Sequence, residues 1–190
     1  MKALPARRRR KSSITSFLNK NVVPVTNFSD VPDYEWYYTA INTLSALGIV
    51  NGVGDGLFEP SRTITRAEFT TIAARFAKVN DAVPSSFTDV SPGDWFYSQV
   101  STAASYGWIA GMEDGSFQPN AKITRAQAVT IINRVLRRLP EIEEDLLPDM
   151  KVWPDNPSSA WHYLAMQEAT NGHDYTRKDN VHEQWIVLHN

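Results

Sequence analysis

An all-helical fold of tandem helix-loop-helix units is predicted by three features of this 190-residue sequence. Residues 28–76 align with residues 87–135 without a gap, at a constant offset of 59 and with 19 identities in 49 pairs. Apolar residues recur at helical spacing on both sides of a glycine-rich stretch in each copy. A Thr-Arg-Ala-Glu or Thr-Arg-Ala-Gln pattern stands before the second apolar run, the signature of a capped helix start. A duplicated pattern with this order is one supersecondary unit repeated.

In the first copy Trp36, Tyr37, Ala40, Ile41, Leu44 and Leu47 predict a helix with one apolar face. Gly48 supplies the left-handed residue that commonly ends a helix. The run Gly52-Val53-Gly54-Asp55-Gly56 cannot be regular structure, and Asp-Gly is a strong turn former. Phe58 is expected to plug this loop into the core, with Pro60 stiffening its exit. Thr65 then caps the second helix and Glu68 closes the box, with Phe69, Ile72, Ala73 and Phe76 as its buried stripe. The second copy repeats this with Gly107, Gly111, Asp114-Gly115, Phe117, Pro119 and Thr124. Its stripe is Ala128, Ile131, Ile132 and Val135.

The last 44 residues read as a third, eroded copy. Asp149 and Trp161 stand where Asp89 and Trp95 would place them. A first helix is predicted over 161–169 and closed by Asn171-Gly172. A short closing helix is expected from Asn180, where Glu183 again fits a capping box. The glycine loop and the Thr-Arg-Ala cap are missing. The expected organisation is a basic linker at 1–27, a first repeat at 28–86, and a second at 87–146 that ends in an acidic connector. A truncated third repeat occupies 147–190.

Charge is distributed unevenly. Residues 1–27 hold seven basic and no acidic side chains, whereas the remainder holds 12 basic and 21 acidic ones. The basic run Arg7 to Lys11 has no aromatic interleaving, so it reads as a disordered, soluble linker and not as a nucleic-acid arm. No run approaches the roughly 18 apolar residues that a membrane helix needs. There is no cysteine, which excludes disulfides and thiolate metal sites and fits a protein exported from a bacterium. The arginine run is followed by polar residues and not by the apolar core of a signal peptide. Either the protein stays inside, or the chain is a piece of a longer secreted protein; the repeat favours the second.

The ordered combination of Phe-x-Asp-Val, a Trp six to eight residues on, the Gly-x-x-x-Gly-x-Phe-x-Pro loop and Ile-Thr-Arg-Ala-Glu resembles the S-layer homology repeat of bacterial surface proteins. The resemblance covers residues 28–136 closely and 147–190 loosely. It implies three repeats packed as a pseudo-threefold helical bundle, with grooves between neighbouring repeats that bind secondary cell-wall polysaccharide, commonly bearing pyruvylated sugars. It further implies an extracellular place on the bacterial wall or S-layer and fusion to a larger surface protein, with no cofactor. The binding candidates it carries over are Asp30, Trp36, Gly52 and Arg66 in the first copy and Asp89, Trp95, Gly111 and Arg125 in the second. An Arg can grip a pyruvate carboxylate with two parallel hydrogen bonds. A Trp face can pack on a sugar, and an Asp can accept its hydroxyl hydrogens. Read in this way, replacing both arginines by Ala weakens binding and leaves the fold in place. The third copy lacks the arginine, and a full third groove is not implied.

The residues themselves leave plainer readings open. Arg66 and Arg125 also suit first-turn surface positions, Trp36 and Trp95 a core, and Asp30 and Asp89 a structural cap. Arg75 and Arg134 are expected to make structural pairs. The Asp-Gly loops lack the three spaced acids of a calcium loop. His162, His173, His182 and His189 show no zinc-binding spacing, so no metal is expected. No spaced carboxylate pair or nucleophile–base set marks an enzyme. Two alternatives stand beside the anchor: a protein–protein assembly module of a surface lattice, and a non-catalytic part of a wall hydrolase.

Overall fold

A computed structural model describes residues 28–77, 79 and 84–189; the basic segment 1–27 lies outside them. The chain divides into two compact units, one ending at Arg62 and one running from Thr63. The division falls inside the first sequence repeat, between its loop and its second helix.

The first unit holds α1 (Tyr38–Ala46). Two successive turns, Glu35 N to Pro32 O and Tyr38 N to Glu35 O, lead into it without a side-chain cap. Ile41 and Asn42 are its buried residues, and Gly48 ends it at φ +69°. The predicted apolar face is thinner than its pattern suggests, because Trp36 and Leu47 are both exposed. The loop that follows closes on itself through Val53 N to Leu57 O at 2.9 Å and Leu57 N to Gly54 O at 2.8 Å. Phe58 does plug it, packing on Phe28 with ring centroids 5.3 Å apart.

The second unit is ordered α2 (Arg66–Ala74), α3 (Tyr97–Ser105), α4 (Arg125–Leu136), a 3-10 turn (Glu143–Asp145), α5 (Tyr163–Thr170), β1 (Gly172–Arg177) and β2 (Glu183–His189). Both predicted capping boxes are present at α2 and α4. Thr65 Oγ1 accepts from Glu68 N at 3.2 Å while Glu68 accepts from Thr65 N at 2.8 Å. Thr124 and Gln127 repeat the exchange at 3.2 and 3.1 Å. Replacing either Thr by Ala is expected to cost about 1 kcal/mol, measured by urea unfolding, whereas Ser should keep most of the stability.

Packing pairs the second helix of one copy with the first helix of the next. Ala67 and Ala73 of α2 share a core with Val90, Phe96, Val100, Ala103, Ile109, Phe117 and Ile131. Farther on, Asn133 of α4 donates through Nδ2 to the Ala165 carbonyl of α5 at 2.8 Å. The buried stripes differ from the prediction by a few positions, since Phe76 and Ile132 face solvent while Thr70, Thr71 and Thr130 are buried.

The expected closing helix from Asn180 is a correction. That segment is a hairpin, with β1 and β2 antiparallel and a register irregularity between Asp174 and Tyr175. Asp179, at the turn, accepts from the Val181 and His182 amides at 2.6 Å each. Trp185-Ile186-Val187-Leu188 suits a half-buried pleated surface far better than a short helix. Trp185 enters a second core with Leu146 and Tyr163.

The acidic connector is tied down through two of its acids, Glu141, which pairs with Lys178 at 2.8 Å, and Asp145. Asp145 is buried and accepts from the Glu141 and Ile142 amides at 2.9 and 3.2 Å and from Lys178 Nζ at 3.0 Å. Burial alone raises its carboxyl, but Lys178 and the two amides outweigh that and hold it below the ordinary value. A depressed carboxylate stabilises the fold above its unfolded pKa of about 4, and the contribution is lost as pH falls through the folded value. Asp145→Asn is expected to cost about 1.5–3 kcal/mol at neutral pH. The variant should also lose less further stability than the parent below about pH 4, checked by urea titrations across pH 3–7. Lys178 is partly exposed and screened, so most of this rests on the amides.

Candidate functional site

The second unit contains a cleft of about 270 Å³ assembled from all three copies. Copy one contributes Arg66 and Thr70 from α2. Copy two contributes Trp108, the loop from Ala110 to Met112, Phe117, and Gln127, Thr130 and Arg134 from α4. Copy three contributes Trp161, just ahead of α5. No Asp, Glu or His lines it.

The chain brings Arg66 here because its cap turns α2 toward the next repeat's loop. Arg66 N donates to Ala121 O and Ala67 N to Pro119 O, at 2.9 and 3.0 Å. Arg66 is only 6% exposed. Its Nε donates to Phe117 O at 2.8 Å and its Nη2 to Ala110 O at 3.3 Å. The guanidinium carbon lies 4.8 Å from the Phe117 ring centroid. Arg66 therefore also holds the loop of copy two, so its removal does not leave the fold untouched. Arg134 donates through Nη1 to Trp108 O at 3.4 Å. Neither arginine has a carboxylate ion-pair partner among the described residues. Burial pushes both guanidiniums below their ordinary value, with Asp89 partly offsetting this at Arg66. Two partly desolvated cations with no carboxylate in direct contact make an anion-receptive cleft.

Arg125 holds the same sequence position as Arg66 and ends elsewhere. It is exposed. Arg66 inserts into the glycine loop of the following copy, and after Arg125 that copy has a hairpin instead. The missing loop in copy three was the sequence signal for this difference.

The two aspartates are loop clamps. Asp30 accepts from the Phe58 and Glu59 amides at 2.9 and 2.7 Å, and Asp89 from the Phe117 and Gln118 amides at 2.7 and 2.8 Å. Each pair holds a loop whose second residue, Glu59 or Gln118, sits at positive φ. The Phe58 amide, with Glu59 behind it, lowers the Asp30 carboxyl. Gly52 and Gly111 are required by close approach. A Cβ on Gly52 would lie 2.4 Å from Leu57 O, and one on Gly111 would lie 2.8 Å from both Ser116 O and Phe87. Gly111 also lines the cleft.

The tryptophans at the start of each copy are not core. Trp36, Trp95 and Trp161 are 88%, 63% and 69% exposed. Each stands edge-on to the next residue, Tyr37, Phe96 or His162, with centroids 5.4, 5.2 and 5.1 Å apart. Three copies thus hold an exposed indole in one edge-on geometry. Of the three, Trp161 lines the cleft with Arg66 and Arg134. The sequence reading missed Arg134, Trp108 and Trp161 as lining residues. A shared helix face for Gln127, Thr130 and Arg134, at steps of three and four, was the signal available.

Fold and cleft define a tandem-repeat module whose ligand-sized space is built from successive copies. Residues 27–70 and 86–129 match the S-layer homology domain family, and the protein carries two repeats of that family. Among relatives, it is 32% identical over 165 residues to the cellulosome-anchoring protein of Acetivibrio thermocellus, covering 84% of this chain and 36% of that protein. It is 32% identical over 173 residues to cell surface glycoprotein 1 of the same organism, covering 85% of this chain and 7% of the relative. An amylopullulanase of Thermoanaerobacterium thermosulfurigenes is 34% identical over 136 residues, covering 70% of this chain and 7% of the enzyme. The chain thus spans about a third or less of each of these relatives. No helix among the described residues is long and apolar enough to cross a membrane.

Proposed function

We propose that this chain is the noncovalent wall anchor of a larger bacterial surface protein and that its ligand is an acidic secondary cell-wall polysaccharide. The observation that carries this reading is the cleft in which Arg66 and Arg134 meet Trp108 and Trp161 with no carboxylate among the lining residues. A pyruvylated sugar presents a planar carboxylate to the guanidiniums and a C–H face to an indole. Its hydroxyls find the side-chain amide of Gln127. The relatives' names, an anchoring protein and a cell surface glycoprotein, support the same role. The amylopullulanase shares only a small part of its length with this chain, which fits a carrier module joined to separate catalytic parts.

An enzymatic role for this cleft finds little support, because general acid–base chemistry needs a carboxylate, His or similar group at the reacting bond and the lining supplies none. Wall sacculi with and without their secondary polysaccharide separate the anchor from the lattice-assembly reading. The chain should sediment with intact sacculi and stay in solution with stripped ones. Equal sedimentation with both would favour protein–protein assembly.

A further inference from the structure

Away from the cleft, Glu168, His173 and Glu183 converge from α5, β1 and β2, and all three side chains are fully buried. His173 Nε2 lies 3.1 Å from Glu168 Oε2 and 3.3 Å from Glu183 Oε1. Its other nitrogen, Nδ1, is 2.8 Å from the Asn171 carbonyl. A carbonyl can only accept, so Nδ1 carries a proton, and Nε2 is the nitrogen turned between the two carboxylates.

The three atoms stand close enough to share one cation, and a proton on Nε2 meets only part of what the two carboxylates can accept. One N–H would be split between two carboxylate oxygens, and Glu183 Oε2 would still accept no hydrogen bond, lying 3.9 Å from Arg177 Nη1. An unsatisfied oxygen on a fully buried carboxylate is costly. Arg138 Nη2 approaches Glu168 Oε1 at 2.8 Å, but its side chain is 39% exposed, so much of its charge is screened by solvent. A divalent ion, by contrast, balances the two carboxylates and leaves His173 neutral.

From this juxtaposition we infer that Glu168, His173 and Glu183 form a divalent transition-metal site that staples the hairpin to α5. The three candidate ligand atoms lie within 4.8 Å of one another. Two ligands about 2.0–2.1 Å from a tetrahedral zinc stand about 3.3 Å apart, close to both distances from Nε2. The surroundings are those of an oriented metal site. Asn171 fixes the imidazole tautomer, and the Trp185 indole donates to Glu168 Oε2 at 2.9 Å. Trp185 also stacks on His173, with ring centroids 4.1 Å apart. Sequence spacing hid this set, because no two of its members lie on one helix face.

The test uses the full chain, stripped with a chelator and titrated with zinc chloride by calorimetry. One zinc per chain and a higher melting temperature are expected. Glu183→Gln and His173→Gln should each weaken binding by roughly a hundredfold, since each removes a direct ligand. A variant lacking the other three histidines, His162, His182 and His189, should bind as the parent does. Nitrogen-15 spectra of the parent protein decide the matter even where a variant fails to fold. His173 Nε2 should lose its proton on zinc addition and shift as a ligated nitrogen does. Zinc bound no more tightly by the parent than by folded Glu183→Gln, or a His173 Nε2 still protonated at saturating zinc, would overturn the site and leave an imidazolium–carboxylate cluster.

Discussion

Arg66→Ala is expected to destabilise the second unit by about 2–4 kcal/mol, while Arg125→Ala should change stability by less than about 0.5 kcal/mol. The two residues open the same Ile-Thr-Arg-Ala motif, so sequence alone assigns them one cost. Arg66 makes two charged hydrogen bonds to loop carbonyls, and a well-formed charged hydrogen bond contributes about 1.5–3 kcal/mol net of the exchange with water. Its guanidinium also covers the face of Phe117, itself fully buried. Arg125 has no loop to enter. Urea unfolding of the two variants checks the contrast, and equal losses would mean that the insertion of Arg66 does not hold the loop. Lys at 66 should recover only part of the loss, because an ammonium lacks the planar fork that reaches both carbonyls.

The second large effect is expected from deleting residues 147–190. The deletion takes Ala165 from Asn133, which is itself buried, and dismantles the core of Leu146, Tyr163 and Trp185. An isolated repeat buries too little apolar surface to stand well by itself. A loss of at least about 3 kcal/mol is expected, which lowers the melting temperature by roughly 6–12 °C in a chain of this size. An unchanged melting temperature and cooperativity, measured by calorimetry, would show that the copies fold as independent beads.

Local signals made the repeated elements readable. Thr65 and Thr124 sit at true caps, Gly48 and Gly107 have the positive φ that ends a helix, and Phe58 and Phe117 fill their loops. These depend on a few neighbouring residues and on backbone sterics, so sequence carries them. The hairpin was missed because Asn180 and Glu183 satisfy a capping spacing that has no tertiary warrant. What selects the strand is Trp185, whose burial between α5 and His173 depends on residues far along the chain. The candidate site was legible in part. Arg66 and Gly111 do line the cleft, but Asp89 clamps a loop, Arg125 faces solvent, and Arg134 and Trp161, though marked by a helix face and by the repeat alignment, join it only through the packing of successive copies. A cleft formed by successive copies is a property of their packing, and a motif within one copy cannot report it.

The most direct test of the carboxylate-binding cleft is a cycle of calorimetric titrations with Arg134→Gln and an acid-free glycan. Arg134 suits this purpose because its one side-chain hydrogen bond among the described residues is a long one to Trp108 O, so its loss should disturb the loop less than the loss of Arg66. Removing a charge-assisted hydrogen bond of about 1.5–3 kcal/mol should weaken binding of the acidic glycan by roughly tenfold to a hundredfold. Parent protein titrated with glycan stripped of its pyruvyl or equivalent acid should show a similar loss. The variant with stripped glycan should lose little more, because both changes remove one interaction. Fully additive losses, or parent binding indifferent to the acid, would contradict a carboxylate held by the cleft arginines.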